Sequence, residues 1–349
     1  MALDYTPIAP PEDRGGPQQP LLIVENLTKH FHIHSGLLGR RTGTVHAVDD
    51  VSFRVTKGEV LGVVGESGCG KSTTARLLMH LIVPDQGSLV FDGDPIGFRG
   101  IGLGELRRKM QMVFQDSSAS LNPRMTVAQC IGFAPLMLGV SQGQVDTKVS
   151  DLLDMVGLAS KQFADRYPHE LSGGQRQRVN IARALANDPR LVILDESVSA
   201  LDKSVEAQIL NLLLSLKQQL GLTYIFISHD LNVIEYVSDR ILVMYLGQII
   251  ERGTVDEVYG APSHPYTRAL LSSKPSLDPR RRTDHPPISG DPPNPINPPS
   301  GCHFRTRCSF AEDICATKVP PLAAIADTAT QFAACLMQQP NSGHSRAPI

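Results

Sequence analysis

The stretch Gly65-Glu-Ser-Gly68-Cys-Gly70-Lys71-Ser72-Thr73 constrains this chain more than any other. It follows the apolar run Val60-Leu-Gly-Val-Val64 and opens a helix-like run from Thr74 to Met79. A strand, then G-x-x-x-x-G-K-[ST], then a helix is the arrangement that cradles phosphate. Glycines let successive backbone N–H groups turn toward an anion. The helix start adds unpaired N–H donors and a partial positive charge. In this reading Gly65, Ser67, Gly68, Gly70 and Thr73 form the cradle, Lys71 reaches the β- and γ-phosphates, and Ser72 ligates Mg²⁺. A chance glycine-rich turn would have no reason to carry both flanks.

The 349 residues suffice for one large domain with an appendage, or for two domains. A net charge of −2 gives no electrostatic case for nucleic acid. No run approaches the ~18 to 20 apolar residues of a membrane span. Residues 1–20 carry no basic-then-apolar leader and read as a disordered lead-in. A cytosolic chain able to dock on a membrane protein is expected.

Short apolar runs alternate with helical patterns. Leu22 to Ile33, Val51 to Val55, Val60 to Val64, Ser88 to Phe91 and Gln111 to Phe114 read as strands. Residues 126–160 and Arg176 to Leu185 read as helical. Leu191 to Leu194 and Tyr224 to Ile227 are runs of the buried-strand type. Between them, Val205 to Leu220 sets Ile209, Leu210, Leu212, Leu213, Leu216 and Leu220 on one helical face. Ile241 to Tyr245 and Gln248 to Ile250 flank Leu246-Gly247 as a hairpin. The alternation points to an α/β fold with a mainly parallel sheet. Beyond Ser273 the texture changes, and Pro275 to Pro299 is too rich in proline for helix or central strand. It reads as an extended linker to a small cysteine-bearing module.

Two further signals narrow the chemistry. Leu171-Ser-Gly-Gly-Gln175 sets Ser172, Gly173 and Gly174 directly before a helix, a second anion site or an ordinary serine N-cap. Asp195-Glu196 ends an apolar strand about 120 positions after the phosphate loop. Asp195 can hold Mg²⁺ through water, and Glu196 can polarise an attacking water. Solvated carboxylates at a loop start are the bland alternative. The next strand ends in Ser228-His229-Asp230, which brings His229 to a neighbouring strand end, where ligands sit in open α/β sheets.

With these residues in order, the chain resembles an ATP-binding cassette (ABC) subunit over residues 22–255. Gly65 to Thr73 matches that family's Walker A, Gln115 the Q-loop, and Leu171 to Gln175 the signature motif. Leu191 to Glu196 matches Walker B, Ser199-Ala-Leu-Asp202 the D-loop, and His229 the switch histidine. The resemblance implies a P-loop NTPase core (residues 21–260) with an antiparallel β subdomain and a helical subdomain at about 116–180. It further implies a linker over 261–300 and a Cys-rich module over 301–340. It implies a head-to-tail dimer that sandwiches ATP between Walker A of one subunit and the signature of the other. Glu196, His229 and Gln115 are then catalytic, with Ser72, Gln115 and Asp195 at Mg²⁺. Ser172, Gly173, Gly174, Gln175 and Asp202 complete the nucleotide site. The family's adenine-stacking aromatic corresponds best to Phe31, with His46 as runner-up; residues 34–44 between them read as an insertion.

A narrower resemblance, to the ATPases of oligopeptide and dipeptide importers, rests on several other stretches. These are Ser120-Leu-Asn-Pro-Arg124, Arg166-Tyr-Pro-His169, Val243-Met-Tyr-Leu-Gly247, Ser263 to Leu271 and the tail from Asn297. It implies a second ATPase subunit, two membrane permeases and an extracytoplasmic substrate-binding protein, with this chain peripheral on the cytoplasmic face of the membrane. Similar importers also handle glutathione or nickel chelates. The residues from about Phe114 to Leu138 and the segment up to Pro168 would grip a permease, although Ile131 to Leu138 also suits plain core packing. Ser197 departs from the family's proline after the Walker B glutamate and should loosen that loop. A soluble ABC ATPase acting on ribosomes or DNA is the competing reading. It calls for a second cassette, coiled-coil insertions or basic patches, which this sequence lacks. A subunit that binds ATP without turnover would need a damaged site.

Cys302, Cys308, Cys315 and Cys335 leave four readings open from spacing alone: disulfides, zinc, a cluster, or unrelated thiols. A reducing cytosol disfavours disulfides, and the paired C-x2-4-C of zinc sites is absent. The module shows no evident apolar core of its own, which favours a metal staple. The importer resemblance implies a 4Fe-4S cluster on these four residues, in a structural role. Cys69 and Cys130 are not expected to be ligands.

Overall fold

The computed structural model describes residues 16, 19–35, 40–97, 100–273, 290–291, 293–326, 328 and 330–348. Most of the expected lead-in, and residues 274–289 of the expected linker, lie outside them. The first half holds β1 (Leu22–Ser35), β2 (Arg40–Val55), β3 (Val60–Val64), α1 (Lys71–Leu78), β4 (Gln86–Phe91), β5 (Asp94–Pro95), α2 (Leu103–Lys109) and β6 (Met110–Val113). Then come α3 (Val127–Met137), α4 (Gln142–Met155), α5 (Ser160–Phe163), α6 (Gly173–Leu185), β7 (Leu191–Asp195), α7 (Lys203–Leu220) and β8 (Thr223–Ile227). The chain continues through α8 (Leu231–Val237), β9 (Arg240–Tyr245), β10 (Gln248–Thr254), α9 (Val255–Gly260) and α10 (Pro265–Ser272). It closes with α11 (Asp313–Thr317), β11 (Ala323–Ala324) and β12 (Phe332–Ala333). These elements fall into two compact units. One comprises Met1–Leu22, Val55–Glu59 and Val90–Ile227, and the other Ile23–Arg54, Val60–Leu89 and Ser228–Ile349.

In the first unit β6, β7 and β8 run parallel, with Val113 opposite Leu194 and Asp195 opposite Ile227. Every residue of β7 and β8 is buried, as unbroken apolar runs in a parallel sheet should be. The α7 face buries Glu206, Ile209, Leu210, Leu213 and Leu216, the spacing of one helical stripe. Each such leucine contributes about 1.5–3 kcal/mol. Leu212 and Leu220 of the expected face are only partly covered. Gly221, at φ 64, ends the helix in a left-handed turn. Helices α3, α4 and α6 pack on one another. Arg178 anchors this layer by donating to the Val156 carbonyl at 2.6 Å, as does Lys148 by pairing with Asp188 at 2.6 Å. Asp92, 2% exposed, lies between Lys57 (3.4 Å) and Arg190, the residue just before β7.

In the second unit β2, β1 and β4 lie side by side in that order. There β3 pairs parallel with β9, which forms the expected hairpin with β10. Three expectations are corrected in this unit. Val51 to Val55 is the end of a strand that begins at Arg40, so the supposed insertion over 34–44 instead belongs, where described, to the arms of β1 and β2. The span 261–300 is not all linker, because α10 lies in it with Pro265, Tyr266 and Thr267 buried. The cysteine-bearing tail is not a separate module lacking a core. It shares one compact unit with the phosphate loop, and β12 pairs antiparallel with β10 (Glu251 opposite Ala333). Phe304, 3% exposed, meets Tyr245 and Tyr266 edge-on, each at 5.4 Å between ring centroids. Buried Glu251 accepts from Ser263 N–H (2.6 Å), His264 N–H (2.9 Å) and Gln331 Nε2 (2.9 Å), tying α10 and the tail to one strand.

Candidate nucleotide site

The phosphate loop folds as the glycine spacing requires. Gly65 has φ +152, and a Cβ there would lie 2.3 Å from the Met244 carbonyl oxygen. Gly70 has φ +107, and its Cβ would lie 2.3 Å from the Ala47 carbonyl oxygen. No side chain fits either position. Ser67 and Gly68 are exposed at the loop crest, while Ser72 and Thr73 open α1. Lys71 is 4% exposed, and its Nζ donates to the Gly65 carbonyl (2.7 Å) and the Glu66 carbonyl (3.0 Å). Carbonyl dipoles orient an ammonium without cancelling its charge, so the loop presents a fixed cation beside the N–H groups of a helix start. These residues fit a polyphosphate. Burial pushes the Cys69 thiol pKa up, which keeps it an inert packing group against Gly65.

In the first unit Asp195 ends β7 with 5% exposure, a buried carboxylate suited to a divalent cation. Glu196 follows at φ 47, a left-handed conformation that β-carbon-bearing residues adopt at some cost. Its N–H donates to the Ile227 carbonyl (2.9 Å), and its own carbonyl accepts from Ser199 Oγ (2.9 Å). This turn aims the carboxylate away from the strand, where Gln115 Nε2 donates to Glu196 Oε2 at 2.9 Å. Gln115 thus meets the proposed water-polarising carboxylate across 81 positions of sequence. Ser197, in place of the family's proline, is buried, and its hydroxyl has no partner among the described residues. Asp202 is the exposed N-cap residue of α7.

Ser172 caps α6 in a reciprocal box. Its Oγ accepts the Gln175 N–H (3.3 Å), and Gln175 Oε1 accepts the Ser172 N–H (2.9 Å). The serine N-cap is therefore real, and the hydroxyl keeps its proton free to donate outward from an exposed position. Gly174 serves packing, since a Cβ there would lie 2.6 Å from Val205 Cγ1, whereas Gly173 has room.

In the second unit His229 is exposed on the turn before α8, next to the N-cap Asp230. Phe31 is 39% exposed on β1, with the Lys29 ammonium 5.6 Å from its ring centroid. His46 packs against His30 with ring centroids 4.2 Å apart, and burial followed by the charge of His30 lowers its pKa. His30 Nε2 lies 3.1 Å from Asp49 Oδ1.

All four tail cysteines line one small pocket with Phe310 and Leu336. They are free thiols. Burial drives Cys302 up to about 11 and Cys335 up to about 12. Among the described residues no three cysteine sulfurs come within 4.8 Å of one another, so no compact ligand cluster is formed. A single zinc ion with ~2.3 Å bonds to sulfur would need them closer. Cys315 and Cys335 are buried, and Cys302 and Cys308 half-buried.

Spacing gave no sign of two residues that bear on the loop. Tyr266 Oη accepts the Glu66 N–H at 2.9 Å, and Arg307 pairs with the Glu66 carboxylate at 2.7 Å. The Ser-His-Pro-Tyr run that opens α10 was the available clue to the first, and for Arg307 there was none.

Comparison with known proteins agrees with this geometry. Residues 48–199 match the ABC transporter family, and residues 250–315 match the oligopeptide/dipeptide transporter C-terminal region. A protein of Sinorhizobium fredii described as a probable peptide ABC transporter ATP-binding protein is 50% identical over 94% of this chain and 93% of its own length. The dipeptide transport ATP-binding protein DppF of Escherichia coli is 46% identical over 91% of this chain and 94% of its own. The solved structure of cbiO1 from Clostridium perfringens, part of the ABC transporter complex cbiONQ, superposes with a TM-score of 0.60 at 28% identity. It covers 72% of this chain and 96% of that one. No described helix is long and apolar enough to cross a membrane. A phosphate loop, a capped signature helix, an acidic pair at a strand end and this tail, matched over nearly the full length of such relatives, place the chain among the ABC transporter ATP-binding proteins of the oligopeptide/dipeptide transporter family.

Proposed function

We propose that this chain is the ATPase subunit of an importer for di- or oligopeptides, pairing with a second ATPase subunit on two membrane permeases served by a substrate-binding protein. The reading puts the chain on the cytoplasmic face of the membrane. The observation that carries the catalytic part is the hydrogen bond from Gln115 to Glu196, because it links the Q-loop to the carboxylate that would accept a proton from water. Lys71 and the N–H groups from Gly65 to Thr73 hold the phosphates, and Phe31 stacks on adenine. Ser72, Asp195 and Gln115 would hold Mg²⁺, whose charge neutralises the transferring phosphate. His229 contacts the γ-phosphate. Ser172, Gly173, Gly174, Gln175 and Asp202 serve the nucleotide of the opposing subunit. Hydrolysis removes the group that both faces grip, so nucleotide favours a closed dimer and its loss an open one.

Permease contact is supported by an apolar patch on and after α3. Phe133, Met137 and Leu138 are 55%, 72% and 55% exposed, with Phe114, next to the Q-loop glutamine in sequence, at 37%. Such a patch marks an interaction surface.

A purified complex reconstituted in vesicles should hydrolyse MgATP and take up labelled peptide. Glu196→Gln should stop both while nucleotide stays bound. Undiminished turnover by Glu196→Gln would refute the catalytic assignment.

We assign the four cysteines to a structural 4Fe-4S cluster because they line one pocket and because the importer resemblance implies such a cluster. Anaerobically purified protein should carry iron and acid-labile sulfide in equal amounts. Stoichiometric zinc without sulfide would overturn this part alone.

A further inference from the structure

Glu66 follows the first glycine of the phosphate loop, and all of its polar groups are committed. Its N–H donates to Tyr266 Oη at 2.9 Å. Its carbonyl accepts from Lys71 Nζ at 3.0 Å and from the Cys69 N–H at 3.2 Å. Its carboxylate is gripped from both sides by one guanidinium, Arg307 Nη1 to Oε2 at 2.7 Å and Nη2 to Oε1 at 3.0 Å. The Arg307 side chain is 6% exposed and that of Glu66 23%. A two-pronged, largely water-excluded pair of this kind fixes direction as well as distance.

Arg307 belongs to the turn between Cys302 and Cys308. The Arg307 N–H donates to the Phe304 carbonyl (3.0 Å), and the Arg305 N–H to the Cys302 carbonyl (3.1 Å). The Phe304 ring is wedged against Tyr245 and Tyr266, so the turn has little freedom to shift. Arg307 also reaches Tyr245 Oη at 3.4 Å, on the strand next to the loop's own strand β3. Lys71, which holds the same Glu66 by its carbonyl, is the residue that would grip the β- and γ-phosphates.

We propose that Arg307 is a positioning residue for nucleotide: the cysteine-bearing turn holds the phosphate loop in its binding shape through Glu66. The inference rests on the reading of the loop as an ATP site. It makes the C-terminal tail a working part of that site. Arg307 touches no phosphate itself. Its effect appears in affinity, because a loop already in shape loses less freedom when ligand binds.

The test is equilibrium binding of a non-hydrolysable MgATP analogue to the full chain, wild type against Arg307→Ala, Arg307→Lys, Glu66→Gln and the exchanged pair Arg307→Glu with Glu66→Arg. Thermal midpoints are measured alongside. Arg307→Ala and Glu66→Gln should each weaken binding roughly tenfold, the scale of coupling between linked sites. Arg307→Lys, which keeps charge but loses the fork, should stay nearer to Arg307→Ala than to wild type. The exchanged pair should recover part of the loss. In the assembled transporter KM for ATP should rise with kcat little changed. Binding by Arg307→Ala within twofold of wild type overturns the proposal. So does unchanged binding by Glu66→Gln while Arg307→Ala loses its thermal midpoint, which would make Arg307 a fold residue only. No binding by the wild-type chain would overturn the ATP reading itself and this proposal with it.

Discussion

Replacing Asp92 by Asn tests how the strand that ends in Asp195 is anchored. Asp92 is 2% exposed, 3.4 Å from Lys57 Nζ and in contact with Arg190 Nη1, whose backbone leads directly into β7. Its φ of 53 is left-handed, a conformation Asn tolerates. Asp92→Asn therefore removes charge while keeping shape and backbone. At 3.4 Å and an effective dielectric near 20, one such pair attracts by roughly 5 kcal/mol before desolvation. Much of that is offset by taking three charges out of water. What remains after removal is two cations, 15% and 12% exposed, facing each other across a neutral amide. Breaking a buried pair this way costs about 3–5 kcal/mol, and we expect the lower end because Asn still accepts one hydrogen bond. Asp92→Ala should cost about 1 kcal/mol more, from the left-handed backbone. Urea unfolding followed by circular dichroism, in low and in high salt, reads both. The loss should persist in high salt, where exposed pairs fade. A loss below about 1 kcal/mol, or one abolished by salt, refutes the view of Asp92 as a buried clamp.

Two further outcomes follow from local geometry. Gly65→Ala must push a methyl to within 2.3 Å of the Met244 carbonyl, so analogue binding should fall at least tenfold while the sheet, read by circular dichroism, stays intact; binding equal to wild type would show that the loop has slack. Asp85 accepts from the His30 N–H and from the Lys29 ammonium, both at 2.7 Å, and these bonds hold its carboxyl below the usual range. A lowered folded pKa adds stability that is complete above the unfolded value near 4 and is lost as pH falls through the folded value. Wild type and Asp85→Asn should therefore differ at neutral pH and converge in strong acid; a gap that widens with acid would reverse the assigned sign.

The phosphate loop was legible because its physics is packed into nine consecutive residues, where glycine freedom, a helix start and one lysine all act together. The β7 and β8 runs were legible because a strand buried on both faces has nothing but apolar positions. Strand β2 was underread because its stretch before Val51 carries His46, Asp49 and Asp50 and gains its strand character from pairing with β1. Helix α10 announced itself through His264-Pro265, a capping residue and a proline at the first turn, but the proline run downstream masked it. The bond between Gln115 and Glu196 spans 81 positions, and that between Arg307 and Glu66 spans 241. No local pattern encodes either one, and a count of cysteines says nothing of the distances between their sulfurs.

The pairing of β12 with β10 has a consequence for anyone who shortens this chain. Glu251 and Arg252 find their outer partners in Ala333 and Phe332, next to the apolar Ile249 and Ile250. A fragment ending before residue 320 would leave that strand with a bare rim of amide and carbonyl groups, a ready template for another copy to add a strand. Trimming the tail at that point should thus trade a shorter chain for inclusion bodies.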